Sequence, residues 1–253
     1  MNLAKVERED DIELSMFVPC FNESKIIERT VKEALSALEK LDLTFELIIA
    51  DDGSTDRTSK KVEENLHGDN RIKVFRNKIN LGRGEILNLA FKTGRGRVFA
   101  FCDADLSADL KDLPILIEAV RCKNYDIATG SRWMKGSSVR RSWKRIALSL
   151  LYNKIIALLF SSKVNDHQCG FKAFKRQVIL ELARDSGLNR IRRWSWDTEI
   201  LVRAQKKGYS IYEFPISWEE KRRTRVKPIR DAIVVSRHLL KIYYELCLTP
   251  LFK

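Results

Sequence analysis

The chain has 253 residues, of which 44% are hydrophobic, which is enough for one large α/β domain or two small ones with a sizeable core. Its 47 basic and 34 acidic side chains give a formal net charge of +13, which indicates a partner rich in phosphates, an anionic membrane surface or nucleic acid. Five scattered cysteines without a CxxC pair argue against a disulfide or zinc framework and indicate a reducing compartment. The charged residues 1–13 lack the apolar core of a signal peptide.

Strands and helices alternate through the first half of the chain. Apolar runs predict strands at residues 14–19, 45–50, 72–75, 98–102 and 126–129. Apolar residues at helical spacing predict helices at residues 24–41, 55–66, 84–93 and 110–121. This alternation predicts βαβ units and therefore an α/β fold with a parallel sheet.

The second half is more basic and less regular. Further strands are predicted at residues 171–174 and 211–215, and helices at residues 176–183, 198–207 and 229–248. Residues 132–145 contain six Lys or Arg and no acid, and they lead into an apolar helix predicted at residues 144–160. That helix is too short and too polar to cross a membrane, which leaves two interpretations. It is either a buried helix or an interfacial helix whose basic flank lies against lipid headgroups.

Acidic residues follow three strands of the predicted sheet. They are Glu23, with the neutral Asn22 before it, after the first strand, Asp51 and Asp52 after the second, and Asp103 and Asp105 after the fourth. Strand alternation sends Asp103 and Asp105 to one side and Ala104 to the other, so two carboxylates converge on one divalent cation and a substrate's phosphates. A single Asp-x-Asp is also common in turns. Three acidic strand ends at one edge, however, repel one another unless a cation or hydrogen-bond donors compensate, which favours a functional site.

Two glycine-containing turns lie near these acids. Gly53 permits a tight turn before the second helix. A helix needs only one capping residue, and Ser54, Thr55 or Asp56 can supply it. The pair Asp51 and Asp52 is therefore more than the turn requires for its structure. Residues 80–84 (NLGRG) resemble a phosphate-binding turn but are not a P-loop, and alone they indicate only a helix start.

Nine motifs now stand in a fixed order. In the first half they are residues 18–23 (VPCFNE), 51–56 (DDGSTD), 80–84 (NLGRG) and 103–105 (DAD). In the second half they are residues 130–132 (GSR), 166–172 (DHQCGFK), 196–199 (WDTE), 215–218 (PISW) and 224–226 (TRV). Together they resemble family 2 glycosyltransferases of the polyprenyl-phosphate sugar synthase type, most of all the dolichyl-phosphate glucose synthases and next the dolichyl-phosphate mannose synthases. The resemblance implies the GT-A fold, a Rossmann-like, mostly parallel sheet flanked by helices.

The resemblance also assigns roles to matching positions. It implies a nucleotide-sugar pocket formed by Pro19, Phe21, Glu23, Asp52, Gly82, Arg83, Asp103 and Ala104. Asp52 is expected to accept a hydrogen bond from the base, and Asp103 and Asp105 are expected to hold Mg²⁺ or Mn²⁺ on the diphosphate. The implied acceptor and phosphate contacts are Arg132, Asp166, Gln168 and Arg225. The implied catalytic group consists of Asp105, Arg132, Asp197 and Glu199.

The implied activity is metal-dependent, inverting transfer of a hexose from UDP-glucose or GDP-mannose to a polyprenyl or dolichyl phosphate. The resemblance implies one GT-A domain over residues 1–237, with a donor half at 14–130 and an acceptor half at 131–237. Residues 238–253 are expected to form a basic and apolar tail. The helices of the second half are expected to lie at the membrane interface, which places the enzyme on the cytoplasmic side as a peripheral or monotopic protein.

Three alternatives remain open at the level of sequence. The first alternative is a mannose synthase. Ser107 stands where mannose synthases commonly have a glutamine, which favours glucose over mannose. The second is a related transferase with a saccharide or diacylglycerol acceptor. The third is a nucleic-acid-binding protein, which the charge suggests but which the acidic strand ends and the scarcity of stacking aromatics in the basic runs oppose.

Overall fold

A computed structural model describes residues 12–65, 68–184, 195–221 and 228–248 of the protein. Its centre is a seven-stranded sheet, formed by β1 (Leu14–Cys20), β2 (Phe45–Asp51), β3 (Ile72–Arg76), β4 (Val98–Cys102), β5 (Ile127–Ser131), β7 (Phe171–Lys175) and β8 (Ile211–Pro215). The order of the strands across the sheet is β3-β2-β1-β4-β7-β5-β8. β7 pairs antiparallel with β4 and β5, and all other neighbours are parallel. The mostly parallel sheet predicted from the sequence is thus confirmed, and each predicted strand corresponds to one of these seven.

A second, two-stranded parallel sheet pairs β6 (Ser138–Arg140) with β9 (Ser217–Glu219). The sequence did not predict it, because strands of three residues are too short to show a periodic pattern. An isolated bridge between Ala108 and Trp218 connects this small sheet to the loop after β4. The β6–β9 ribbon therefore borders the region of the two aspartates.

The described helices agree with the eight predicted from the sequence. They are α1 (Ile27–Leu38), α2 (Thr58–Asn65), α3 (Arg83–Phe91), α4 (Leu113–Arg121), α5 (Trp143–Phe160), α6 (Arg176–Arg184), α7 (Trp196–Lys206) and α8 (Pro228–Tyr243). A 3₁₀ turn (Leu110–Asp112) precedes α4, and a π-helical turn (Tyr244–Leu248) follows α8. The start predicted for α1 at Ser24 was too early, since the Ser24 amide donates to Asp56 Oδ2 at 3.1 Å instead of entering the helix.

Both faces of the central strands β1, β2 and β4 are buried, which explains why these strands are largely apolar. Successive residues of β1 point to opposite faces, so Met16 and Val18 pack with α1 and α4, whereas Phe17 packs on the opposite side. There Phe17 meets Phe91 of α3 edge to face, with ring centroids 4.8 Å apart. The rigid sheet fixes where each strand ends, and hence where the polar residues after the strands lie.

The α5 helix buries polar side chains and exposes leucines, which is the reverse of the usual amphipathic pattern. Its inward face includes the polar Ser149 and Asn153 beside Ile156 and Phe160, while leucines point to solvent. Leu151 is 56% exposed and Leu158 is 75% exposed. A helix with its leucines outside is not a core helix, so the buried-helix interpretation was wrong. No helix in the described part of the chain is long and apolar enough to cross a membrane.

The α8 helix runs through residue 237, where the sequence suggested that the domain gives way to a tail. Leu239 and Ile242 are buried against Val202 of α7 and Phe160 of α5. The boundary between residues 237 and 238 therefore does not coincide with the end of an element. Leu240, at 63% exposure, faces solvent as the α5 leucines do.

Candidate active site

The carboxyl ends of β1, β2, β4 and β5 meet at one edge of the sheet, because these strands run in the same direction. Polar residues follow directly at each end. Glu23 comes after β1, Asp52 after β2, Asp103 after β4 and Arg132 after β5. The structure therefore brings the donor-side residues predicted from the sequence to a common edge.

Asp52 organises the loop that leads into α3. Its two carboxylate oxygens accept hydrogen bonds from the backbone amides of Leu81 at 2.8 Å and Gly82 at 2.6 Å. Burial raises the pKa of Asp52, and these two hydrogen bonds offset only part of that effect. The resemblance implied a hydrogen bond from the base to Asp52, and each oxygen retains a lone pair for such a contact.

The glycines of residues 80–84 have different structural purposes. Gly82 adopts a φ of +99° just before α3, a conformation that side chains disfavour. A Cβ on Gly84 would lie 2.4 Å from the indole of Trp196, so only glycine lets α3 approach α7 this closely. The motif thus shapes the loop beside Asp52 and the packing that holds Arg83.

Backbone contacts fix the loop after β1. The Glu23 amide donates to Thr58 Oγ1 at 2.9 Å, and its carbonyl accepts from the amides of Ile26 and Ile27. Asn22 has a φ of +55°, which asparagine tolerates, and its side chain accepts from the Thr55 amide at 2.8 Å. Pro19 is buried within β1, and Phe21 is half-buried. The β1 and β2 loops are therefore bonded into one wall.

Asp103, Ala104 and Asp105 lie in a turn just beyond β4, which the Leu106 amide closes by donating to the Asp103 carbonyl at 2.9 Å. Ala104 is buried, and the strand alternation used in the prediction does not extend to this turn. The Ala104 carbonyl accepts from Thr30 Oγ1 at 2.6 Å, which anchors the turn on α1. Asp103 Oδ1 accepts from Arg83 Nη1 at 2.7 Å, and Asp105 Oδ1 accepts from the Ser107 amide at 3.1 Å. The Asp103 side chain remains 34% exposed.

The donor set of this turn fits a hard divalent cation. Within the described residues, no three His, Cys, Asp or Glu side chains gather into a ready-made metal site. Two carboxylates that leave the other positions to water and phosphate oxygens match the preference of Mg²⁺ or Mn²⁺ for oxygen ligands on a diphosphate. The residues present therefore suit a cation that binds together with a substrate.

Ser107 stands two residues beyond Asp105. It is buried, and its carbonyl accepts from the Glu219 amide of β9 at 2.8 Å. Beside it lies a cleft of about 520 Å³ that the loop after β4 shares with the β6–β9 ribbon. Ser107 therefore connects the aspartate turn to that ribbon.

A chain of alternating charges links the donor side to α7. Arg83 donates to Asp103 through Nη1 and to Asp197 through Nη2, and Asp197 Oδ1 accepts from Lys172 Nζ at 3.0 Å. Lys172 and Asp197 have no exposed side-chain surface. Lys172 also donates to the carbonyls of His167 and Cys169. Burial lowers the pKa of Lys172 to about 8.

The sequence did not assign Lys172 to the site, although the residue belongs to the 166–172 motif. A lysine placed between phenylalanines in a predicted strand was the available signal. Such a residue needs a buried anion, and the sequence alone did not identify Asp197 as that partner.

Glu199 and Asp197 point in different directions. Glu199 Oε1 accepts from Arg203 Nε at 2.6 Å, and Glu199 Oε2 lies 3.3 Å from His238 Nε2 of α8. Residues two apart on a helix diverge by roughly 200° at 3.6 residues per turn. The structure therefore does not bring Glu199 together with Asp197, and instead uses it to join α7 to α8.

Arg132 and Asp166 form a buried, two-pronged ion pair. Arg132 Nε and Nη2 lie 2.7 and 2.8 Å from the two Asp166 oxygens. Burial alone would raise the pKa of Asp166, but the charge and hydrogen bonds of Arg132 outweigh it and lower the pKa. The Gln168 amide donates to the same carboxylate at 3.3 Å. Asp166 therefore serves first to hold Arg132 in place.

Guanidinium groups and indole rings alternate beside this pair. The Arg132 guanidinium carbon lies 5.4 Å from the ring centroids of both Trp133 and Trp218, and that of Arg141 lies 5.3 Å from Trp218. Burial, and then the charges of Arg132 and Arg145, lower the pKa of Arg141 to about 10. Arg141 Nε is buried and has no hydrogen-bond partner among the described residues. Arg225, the other predicted phosphate contact, lies outside the described residues.

The sequence is similar to known glycosyltransferases over nearly its whole length. Residues 15–182 match the family model described as Glycosyl transferase family 2. The chain is 39% identical over 241 residues to the glycosyltransferase AglD of Haloferax volcanii, and the match covers 94% of this chain and 38% of AglD. It is 30% identical over 244 residues to the dolichyl-phosphate beta-glucosyltransferase of Homo sapiens, covering 91% of this chain and 74% of that enzyme. The chain thus spans well under half of AglD.

Solved structures confirm the GT-A fold. Glucosyl-3-phosphoglycerate synthase from Mycobacterium tuberculosis, in complex with Mn²⁺, UDP and glucosyl-3-phosphoglycerate, matches with a TM-score of 0.68 at 19% identity. That match covers 93% of this chain and 80% of the synthase chain. The family model covers most of the chain, and the relatives and the fold agree with it. The chain therefore belongs to glycosyltransferase family 2 and is a glycosyltransferase.

Proposed function

We propose that the protein transfers a hexose, with glucose favoured, from a nucleotide sugar to a polyprenyl or dolichyl phosphate at the cytoplasmic surface of a membrane. The main support for the proposal is that a basic segment continues directly into a helix with exposed leucines. The basic segment from Arg132 to Arg145 leads directly into α5, whose leucines are exposed. Cationic groups next to an exposed apolar helix suit a phosphate attached to a lipid. The similarity to the human dolichyl-phosphate beta-glucosyltransferase supports the same acceptor.

On the donor side, Asp52 and the loop it holds form the nucleotide wall, together with Pro19, Phe21 and Glu23. Asp103 and Asp105 would hold Mg²⁺ or Mn²⁺, which supplies Lewis-acid stabilisation of the departing nucleoside diphosphate. Arg83 lies 2.7 Å from Asp103, within reach of phosphates at the same place.

On the acceptor side, Arg141 is better placed than Arg132 to receive a phosphate. Arg132 is already neutralised by Asp166 through two hydrogen bonds. Arg141 has an unpartnered Nε, and the ion-pair contact to Glu220 Oε1 is 3.8 Å long. An incoming phosphate would supply the partner that this buried nitrogen lacks. Trp218 holds the guanidinium in place from one side.

The chemistry needs no strong general base. A lipid monophosphate is already ionised near neutral pH and can attack the anomeric carbon in line. Asp197 supports this mechanism, since its two oxygens are engaged by Arg83 and Lys172. Asp197 therefore positions Arg83 and does not take up a proton. Direct displacement on an α-linked donor gives a β-linked product, so the transferase is inverting.

Membrane contact rests on two helices. Trp143, Leu148, Leu151 and Leu158 of α5 are each more than half exposed, as are Leu240 and Tyr244 near the end of the chain. Lys144, Arg145 and Lys154 accompany the α5 residues. Apolar side chains bordered by basic ones favour an interfacial position on an anionic leaflet. We therefore propose a peripheral or monotopic association.

The test is a transfer assay with purified protein, polyprenyl phosphate in detergent micelles, and labelled UDP-glucose or GDP-mannose, with and without EDTA. We expect transfer from UDP-glucose that EDTA abolishes and added Mn²⁺ restores. Transfer that EDTA leaves unchanged would contradict the metal dependence. Transfer to a saccharide or diacylglycerol but not to polyprenyl phosphate would contradict the acceptor, and transfer from GDP-mannose alone would contradict the glucose donor.

A further inference from the structure

We propose that Arg83 is an internal counter-cation of Asp103. It competes with a divalent cation for the Asp103 carboxylate, and the diphosphate of the donor then becomes its new hydrogen-bond acceptor. The proposal rests on the proposed function, because it concerns the same donor site. It makes Arg83 a positioning residue that couples the binding of metal to the binding of nucleotide.

The first step is that both oxygens of Asp103 already face protein atoms. Oδ1 accepts from Arg83 Nη1 at 2.7 Å. Oδ2 occupies the space beside Gly170 where any side chain would have its Cβ. A cation bound at Asp103 therefore competes with the guanidinium for the negative charge of the same carboxylate. This is a charge-assisted contact that is partly shielded from solvent, since the Arg83 and Asp103 side chains are 24% and 34% exposed.

The second step is that Arg83 cannot simply swing into solvent. Its Nη2 donates to Asp197, and Asp197 is itself fixed by Lys172. Lys172 and Asp197 are fully buried, and removing the guanidinium would leave Asp197 with a single cationic partner. The guanidinium therefore stays beside Asp103 when a metal claims the carboxylate, and its Nη1 loses its acceptor.

The third step follows from the balance of charge. The formal charges of Lys172, Asp197, Arg83 and Asp103 sum to zero, and Asp105 adds one negative charge, so a divalent cation that enters alone leaves a net positive charge next to Arg83. A nucleoside diphosphate supplies both the negative charge and an acceptor for Nη1. Metal and nucleotide are therefore expected to strengthen each other's binding, and Arg83 contributes to that coupling.

The experiment measures Mn²⁺ affinity, which does not depend on turnover. Free Mn²⁺ is titrated by electron paramagnetic resonance against the wild-type protein, Arg83→Gln, Arg83→Met and Arg83→Lys, each with and without UDP. Without UDP, both neutral variants are expected to bind Mn²⁺ on the order of tenfold more tightly than the wild type, as expected when one charge-assisted hydrogen bond no longer competes. UDP should also increase the Mn²⁺ affinity of these neutral variants less than it does for the wild type, again by a factor on the order of ten. Arg83→Lys keeps the charge and is expected to resemble the wild type.

Arg76→Gln is the matched control, since Arg76 also lies at this edge of the sheet, 3.7 Å from Asp51, and does not contact Asp103. We expect its Mn²⁺ affinity to stay within about twofold of the wild type, as a screened surface charge would give. Neutral Arg83 variants that bind Mn²⁺ no more tightly than the wild type would contradict the inference alone, provided that the wild type binds Mn²⁺ with UDP. A wild type that binds no Mn²⁺ even with UDP would contradict the proposed metal site as well.

Discussion

Arg132 and Asp166 face each other in a planar, two-pronged ion pair, with the Arg132 amide adding a third hydrogen bond to Asp166 Oδ2 at 3.0 Å. Asp166 has no exposed surface, and Arg132 has little. The pair joins the end of β5 to the loop before β7, so it sets the geometry of the acceptor side. Its loss is expected to affect the whole domain.

Asp166→Asn should destabilise the protein strongly. The substitution leaves the Arg132 charge buried without a counter-ion, which typically costs about 3 kcal/mol or more, or roughly 6 to 12 °C in Tm for a chain of this size. Glu219→Gln is the matched control, since its pair with Arg140 is 3.6 Å long and exposed. That change is expected to cost about 0.5 kcal/mol at most. Similar losses of Tm in the two variants would contradict the importance of the buried pair.

Asp105→Asn should remove most of the transferase activity. Replacing a ligand carboxylate weakens the hold on the cation, and the loss of one preorganised charge at a reacting centre commonly reduces kcat about 100-fold or more. Asp109→Asn is the control in the same loop, where Asp109 caps the 3₁₀ turn by accepting from the Lys111 amide at 3.0 Å. Its activity is expected to stay within about twofold of the wild type, because asparagine can still accept this capping hydrogen bond. Equal losses would show that the loop, and not the carboxylate, matters.

The protein should lose stability as the pH is lowered from the unfolded pKa of His167 to its folded pKa. Burial, and then the charge of Lys172, lower the pKa of His167 from 6.5 to about 4. The unfolded chain therefore binds the proton first as pH falls through 6.5, and the contribution of neutral His167 is lost progressively down to about pH 4, amounting to about 3 kcal/mol. Urea unfolding at several pH values measures this loss.

His167→Gln is the companion variant for the pH experiment. Glutamine cannot titrate, so the variant should unfold more easily at neutral pH but lose less stability between pH 6.5 and pH 4 than the wild type. The native ring nitrogens lie 2.9 Å from Asn153 Oδ1 and 2.8 Å from Ser162 Oγ. Curves of stability against pH that run parallel for the two proteins would contradict a role for His167.

Replacement of the α5 leucines should weaken membrane binding without unfolding the protein. We expect the triple variant Leu148→Gln, Leu151→Gln and Leu158→Gln to bind vesicles containing phosphatidylserine at least roughly tenfold more weakly in a sedimentation assay, since binding scales with buried apolar area. Ile115→Gln on α4 is a control at a side chain 40% exposed elsewhere on the surface. Its vesicle binding should match that of the wild type. A triple variant that binds as tightly as the control would contradict the α5 interface.

The arrangement of strands and helices could be predicted from the sequence because each element carries its own pattern. Buried parallel strands such as residues 14–19 are short apolar runs, and α1 shows its inward face at helical spacing. Asp103 and Asp105 could be located because they follow such a strand directly. The strands of the small β6–β9 sheet, at three residues each, offer no comparable signal.

The interior of the site could not be predicted in the same way, because it depends on contacts between distant segments. Arg83 meets Asp197 only after α3 has packed on α7 through Gly84 and Trp196. Glu199 was grouped with Asp197 because the family resemblance assigned both residues of the 196–199 motif to the site, and the predicted helix began only at Thr198. α7 in fact begins at Trp196, so both acids lie on one helix and its rotation separates them.

The reversed direction of β7 has a consequence for how the two halves of the enzyme are aligned. An antiparallel strand presents its amino end where its neighbours present their carboxyl ends, so the residues that precede β7 arrive at the functional edge. There the Asp103 amide donates to the Gly170 carbonyl at 3.1 Å. The proposed donor and acceptor segments are thus joined by a main-chain hydrogen bond that does not involve the Asp103 side chain. This alignment is therefore expected to persist when the Asp103 carboxylate is replaced.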